Sequence, residues 1–156
     1  MFSKLAKSLM TTTALLVVVS QPTIANQTGT SEQAKSMLEK VIAAMQVDPV
    51  KAVAAINRGD AEYRLNDLYP YCFENDGLVG KVTAHGRADN VIGVPVKKVK
   101  DKNGTIIAGQ MIPFAEDGVI KTATYWFPKP NETVPLEKEA YYSKIGAQIC
   151  AVGYYK

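Results

Sequence analysis

Two hydrophobic periods divide the chain. From about Ser31 to Gly59 the apolar positions return every three or four residues. Ala34, Met37, Leu38, Val41, Ile42 and Met45 form one stripe, with Glu32, Lys35 and Glu39 off it. That spacing predicts an amphipathic helix. It starts near Thr30 or Ser31, where Gln33 follows Thr30 by three residues as in a capping box. Asp48-Pro49 then opens a second helix, since a carboxylate caps it and proline suits the first helical position. This helix carries Val50, Val53 and Ala54 and ends near Gly59. Such helices can pair as dimer faces, but the expectation here is that they cover a sheet.

Beyond Leu68 the pattern changes to short runs of β-branched and aromatic residues punctuated by Pro, Gly and Asn, which reads as strands and turns. Leu68 to Phe73 and Leu78 to Ala84 are the first two strands, separated by Glu74-Asn-Asp-Gly77 and closed by His85-Gly86. Val91 to Val99 is expected to give a short strand around Gly93 and Pro95. Asp101-Lys-Asn-Gly104 is a turn, because Asn-Gly favours positive φ. Thr105 to Ala115 fits either a strand or a short helix, with Pro113 against a long one. The last 37 residues hold three runs, Ile120 to Phe127, Lys138 to Lys144 and Gln148 to Tyr155. A Pro-rich turn and Ile145-Gly146-Ala147 separate them, as between consecutive antiparallel strands. Two helices followed by antiparallel strands make an α+β domain with helices packed on a sheet.

Composition is most informative at the start of the chain. Lys4 and Lys7, an apolar run of 11 residues from Leu9 to Val19, and the small residues of Thr23-Ile-Ala25 have the order of a secretory signal peptide. The run is too short for a bilayer, which needs about 20 residues. Residues 1–25 are therefore expected to be a leader, and 26–156 one domain whose mature chain has no membrane span. Losing the leader's two lysines lowers the formal charge from +3 to +1, so nothing points to nucleic acid or acidic membranes. The basic cluster Lys97-Lys98-Val-Lys100-Asp-Lys102 reads as a solvated strand-and-turn edge. A periplasmic or secreted location is oxidising, and there Cys72 and Cys150 invite pairing. The alternative is two buried free thiols.

The candidate chemistry is that of binding. Tyr125 and Phe127 share one face of their strand, since side chains alternate. With Lys138 at the mouth of the next strand and Tyr141 three residues on, they outline aromatic walls around one cation, a pocket for a small anionic molecule. Tyr71 is a weaker member of the set. Core packing accounts equally well for each aromatic, and Lys138 beside Glu132, Glu137 and Glu139 suits an ordinary surface as well. His85, the only histidine, is expected to cap a strand end by local hydrogen bonds, with ligand contact as the second option. One histidine, no Gly-x-Ser-x-Gly elbow and no cysteine pair at metal spacing argue against an enzyme, a zinc site or any cofactor. Asp101-Lys-Asn-Gly104 lacks the remaining carboxylates of a calcium loop. Asp101 and Asp67 read as turn acids that bond their own backbone.

Seven segments in order extend this reading: Tyr69-Pro-Tyr-Cys-Phe73, Gly80-Lys-Val-Thr-Ala-His-Gly86, Val91-Ile-Gly93, Lys100-Asp-Lys-Asn-Gly104, Tyr125-Trp-Phe-Pro-Lys-Pro130, Lys138-Glu-Ala-Tyr141 and Val152-Gly-Tyr-Tyr155. The series resembles the single Cache domain, a PAS-like extracytoplasmic sensor module, over roughly Ser31 to Lys156. The resemblance implies a long N-terminal helix packed on a PAS-like antiparallel sheet of about five strands. It also implies a pocket on that sheet for a small carboxylate or amino-acid-like metabolite. Most members of that family are the outer halves of membrane signalling proteins. This chain resembles a free-standing periplasmic version, expected to act with a membrane signalling partner. Phe127 stands where the family usually has Trp, and the turn from Glu74 to Gly80 is one residue longer. The resemblance moves Lys138 from surface residue to ligand contact. It also places Cys72 and Cys150 on neighbouring strands, the basis for expecting a disulfide. The competing expectation is an interaction subunit whose pocket is filled by its own side chains and which docks on a membrane receptor or kinase.

Overall fold

Thr30 sets the start of the first helix in the computed structural model, which describes residues 28–156; the leader expected at 1–25 lies outside them. The Thr30 hydroxyl accepts from the Gln33 amide while the Gln33 side chain accepts from the Thr30 amide, closing the capping box. Helix α1 spans Ser31–Val47 and buries Ala34, Met37, Leu38, Val41 and Met45. Asp48 then caps α2, Pro49–Arg58, by accepting from the Lys51 amide. Gly59 ends α2 at φ +70°, a left-handed conformation for which glycine is suited.

Five strands follow: β1 Pro70–Glu74, β2 Val82–His85, β3 Lys121–Pro128, β4 Pro135–Ile145 and β5 Gln148–Tyr155. They form one sheet in the order β2-β1-β5-β4-β3, and every neighbouring pair is antiparallel. The α+β architecture, with a long N-terminal helix on a five-stranded antiparallel sheet, is the one expected. β1 and β2 begin later than their apolar runs. Leu68 serves the core as an isolated bridge residue, while Leu78 and Val79 stand exposed.

The two faces of the sheet have different covers. Cys72, Ala84, Cys150 and Val152 pack under α1 and α2 against Leu38, Val41 and Ile56. Cys72 and Cys150 are direct cross-strand partners and are joined in a disulfide with no solvent exposure. The opposite face carries Phe73, Tyr125, Ala140, Tyr142, Ile149 and Ala151. Its cover comes from the connection between β2 and β3, through Val96, Ile107 and Met111. That connection contains no strand. The one expected at Val91 to Val99 is a pair of single-turn helices, Asp89–Val91 and Val96–Lys98. Gly93 there has φ +79° and Pro95 has no N–H to give a ladder. Thr105 to Ala115 resolves into two more such turns, with Pro113 inside the second. Lys97, Lys98, Lys100 and Lys102 are exposed, as expected of a solvated cluster. Among the described residues no helix is long and apolar enough to cross a membrane.

Candidate functional site

The face turned away from the helices concentrates the polar chemistry. Tyr125 on β3, Lys138 on β4 and Tyr155 on β5 are successive cross-strand partners, so they stand in one row across three strands. Further along the same sheet, Tyr71 on β1 is the partner of His85 on β2. Alternation along each strand puts these residues on one face. Tyr69, just before β1, joins them by the same parity with Tyr71. Together Tyr69, Tyr71, His85, Tyr125 and Phe127 line a cavity of about 60 Å³, closed on its apolar side by Val82, Val91, Val99 and Ile107.

Lys138 is not among these lining residues but stands beside the cavity, over the ring of Tyr69. Its side chain is 0% exposed, and its Nζ has no hydrogen-bond partner among the described residues. It makes no ion pair there either. Instead the ammonium lies 4.1 Å from the centre of the Tyr69 ring and 4.8 Å from that of Tyr155. Ring quadrupoles attract a cation, by about 2 kcal/mol when it is desolvated. That offsets only part of the several kcal/mol that burial of an unpaired charge costs.

His85 supplies a donor of fixed identity. Its Nδ1 accepts from the backbone N–H groups of Ala88 at 2.9 Å and Arg87 at 3.2 Å, so the neutral ring carries its proton on Nε2. Its backbone is held from α2, where Asn57 accepts from the His85 amide and donates to the Thr83 carbonyl, each at 3.0 Å. Burial, helped by the charge of Lys138, pushes the imidazole down to about 4. The Tyr71 and Tyr125 hydroxyls share a hydrogen bond of 2.9 Å. Burial raises both phenols above their ordinary range, so both stay protonated.

The His85 shift carries an expected pH dependence. The folded ring stays neutral while the unfolded ring protonates below its ordinary 6.5, so the unfolded state binds the extra proton. Stability from this group is complete above pH 6.5 and falls as pH drops towards 4. The loss is on the order of 2–3 kcal/mol. Denaturant unfolding at pH 7 and pH 4.5 should show that difference in the parent relative to His85→Asn, which keeps an acceptor near the Nδ1 position. Equal pH dependence in the two proteins would contradict it.

No protein-family model and no curated protein matches the sequence. Solved structures do match. One is a periplasmic sensor domain of a chemotaxis protein, at 18% identity and TM-score 0.59, covering 80% of this chain and 88% of that one. A methyl-accepting chemotaxis protein from Vibrio parahaemolyticus RIMD 2210633 matches at 16% identity and TM-score 0.63, over 80% of this chain and 86% of that one. A third is a Cache chemosensory domain that recognises carboxylic acids, at 16% identity and TM-score 0.62, over 80% of this chain and 92% of that one. The fold is that of a single Cache sensor domain.

Within this Cache fold the expected site residues part company. Lys138, Tyr125, Phe127, Tyr71 and His85 come together on the face away from the helices. Tyr141 does not. It lies three residues from Lys138, hence on the other face, where its hydroxyl pairs with that of Ser31 at 2.8 Å and its ring stacks on Tyr154. Lys138 sits well inside β4 rather than at its mouth, because the strand begins three residues earlier at Pro135. Asp101 accepts from the Asn103 and Thr105 amides, a turn acid as expected. Asp67 is not one. Its Oδ1 accepts from the Gly29 amide at 2.7 Å, and its Oδ2 lies 3.3 Å from Lys129 Nζ. That Oδ2 makes no hydrogen bond among the described residues, yet the ion-pair distance leaves its charge compensated. Sequence reasoning missed Tyr69 and Tyr155. The parity of Tyr69 with Tyr71 was a usable signal, whereas Tyr155 meets Lys138 only through the strand order. Among the described residues no group of three or more His, Cys, Asp or Glu is placed to hold a metal ion.

Proposed function

We propose that this domain is an extracytoplasmic sensor that binds a short monocarboxylate at Lys138. The observation that carries the reading is the Lys138 ammonium, fully buried without a hydrogen-bonding or ionic partner among the described residues. A buried cation of that kind wants an anion. The chemistry around it narrows the anion. One cation serves one carboxylate, and no Asp or Glu lines the cavity to hold an amino acid's ammonium. The His85 Nε2–H and the tyrosine hydroxyls are neutral hydrogen-bonding groups suited to carboxylate or hydroxyl oxygens. The apolar wall of Val82, Val91, Val99 and Ile107 takes a short alkyl tail. A volume of about 60 Å³, where a single water needs about 10–15 Å³, accommodates acetate or propionate and not a drug-sized ligand. The likeness of fold to a Cache domain that recognises carboxylic acids supports the same class. The buried disulfide agrees with an oxidising compartment. A sensor acts through a partner, and a membrane signalling protein is the partner proposed.

The closed, aromatic-flanked state of Lys138 favours one competing reading, a docking subunit whose pocket is filled by its own side chains. A thermal-shift screen separates the two. Acetate and propionate should raise the melting temperature, because a ligand that binds only the folded state stabilises it by about 2.7 kcal/mol at a hundredfold excess over Kd. Glycine, methylamine and succinate should not. No response to any of the five supports the docking subunit, and a response to glycine with none to acetate would refute the monocarboxylate assignment.

A further inference from the structure

Lys138 belongs to β4, whereas Tyr69 and His85 belong to the β1–β2 side of the sheet. β5 lies between them. To bring its ammonium over the Tyr69 ring, the lysine has to cross the surface of β5. The residues of β5 on this face are Ile149, Ala151, Gly153 and Tyr155, of which only Gly153 has no side chain. Register places the crossing there. Lys138 pairs with Tyr155, and Ala140 pairs with Gly153. On the other edge of β5, Tyr71 pairs with Ala151 and Pro70 with Val152, so Gly153 continues the row towards Tyr69. A Cβ built at Gly153 would stand 2.5 Å from Lys138 Cε and 3.2 Å from both its Cδ and Cγ. Carbon atoms pack at about 3.5–4.0 Å. Gly153 does not take a positive φ, so its place in the strand has no backbone reason. The lysine stem fills the space that a side chain would take.

We propose that Gly153 is the positioning residue of the site: its missing side chain is the trough through which a β4 lysine delivers its charge to the β1–β2 side. The residue at 153 thereby decides whether the domain has a cation beside its pocket, against the lining ring of Tyr69. The functional consequence rests on the binding role of Lys138 proposed above, but the positioning itself is testable without a ligand. His85 is the single histidine of the chain, so its imidazole signal in NMR reports unambiguously on the nearby charge.

The test uses four proteins: the parent, Gly153→Ala, Lys138→Ala and the double variant. Acetate affinity, the His85 titration midpoint and the melting temperature are measured in each. Gly153→Ala is expected to weaken acetate at least about tenfold, the loss of a charge-assisted contact, and to raise the His85 midpoint. Lys138→Ala should do both, and adding Gly153→Ala to it should change neither further. The double variant should also melt no lower than Lys138→Ala, because the new methyl group enters space the lysine has left. A Gly153→Ala protein with the parent's affinity and the parent's His85 midpoint overturns the proposal. If the parent itself ignores acetate and propionate, the binding reading fails, and the midpoint and melting data still decide the positioning role. If Gly153→Ala does not fold, recovery of folding in the double variant supports the proposal, and a double variant equally unfolded overturns it.

Discussion

Lys138→Met is expected to raise the stability of the ligand-free domain while removing its response to carboxylates. The two effects come from one cause. An ammonium at 0% exposure without a hydrogen bond among the described residues has given up its water for two aromatic rings. Met keeps the length and apolar bulk of the stem and drops the uncompensated charge. The expected gain is about 1–3 kcal/mol, since replacing buried ionic groups by apolar ones of similar volume is often stabilising by that order. The binding loss is of similar size, about 1.5–3 kcal/mol, or roughly ten- to a hundredfold in Kd. Urea unfolding with and without acetate measures both. A Lys138→Met protein destabilised like a core truncation would mean that the aromatic cage, and not a ligand, is what the lysine serves. A domain that is less stable with its binding cation than without it has the signature of a site kept for function.

The elements legible in the sequence are those whose local signals agree with each other. Thr30, Gln33 and the stripe from Ala34 to Met45 fix α1 at both ends, and Asp48-Pro49 with Gly59 does the same for α2. In the tail, Pro and Gly separate three runs whose β propensity and packing agree. Between Gly86 and Ile120 the Asp101–Gly104 turn was legible, but the rest of the connection was not, because it has no period of its own. Its turns are shaped by what they cover, Val96, Ile107 and Met111 lying on the sheet.

The site was readable in proportion to how local its geometry is. His85 bonds the amides two and three residues on, and its capping role followed from sequence. Tyr125 and Phe127 follow from alternation along one strand. The same rule, applied to Lys138 and Tyr141, puts residues three apart on opposite faces, and grouping them by closeness in sequence was the error. Tyr155 and Gly153 become part of the site only once β5 is known to lie between β4 and β1. Long-range register of that kind is set by the whole sheet and leaves no mark in a local window.

Replacing both cysteines by alanine is expected to cost about 4 kcal/mol, the larger part of a typical domain's 5–15 kcal/mol if the protein lies near the lower end. The Cys72–Cys150 bridge spans 78 residues of sequence, so it removes much freedom from the unfolded chain. It also joins β1 to β5, and those strands carry Tyr71 and Tyr155 on the opposite face. The denaturant midpoint of Cys72→Ala/Cys150→Ala should therefore fall steeply, and acetate should recover part of the loss by binding the folded state. Alanine is the right replacement, because serine would bury an unpaired hydroxyl and add its own cost. Both sulfurs belong to residues with no exposure, so reductant without denaturant should leave the native bridge intact over times that reduce the unfolded protein. A double variant within about 1 kcal/mol of the parent would show that sheet pairing alone holds β1 to β5 and that the bridge adds little to it.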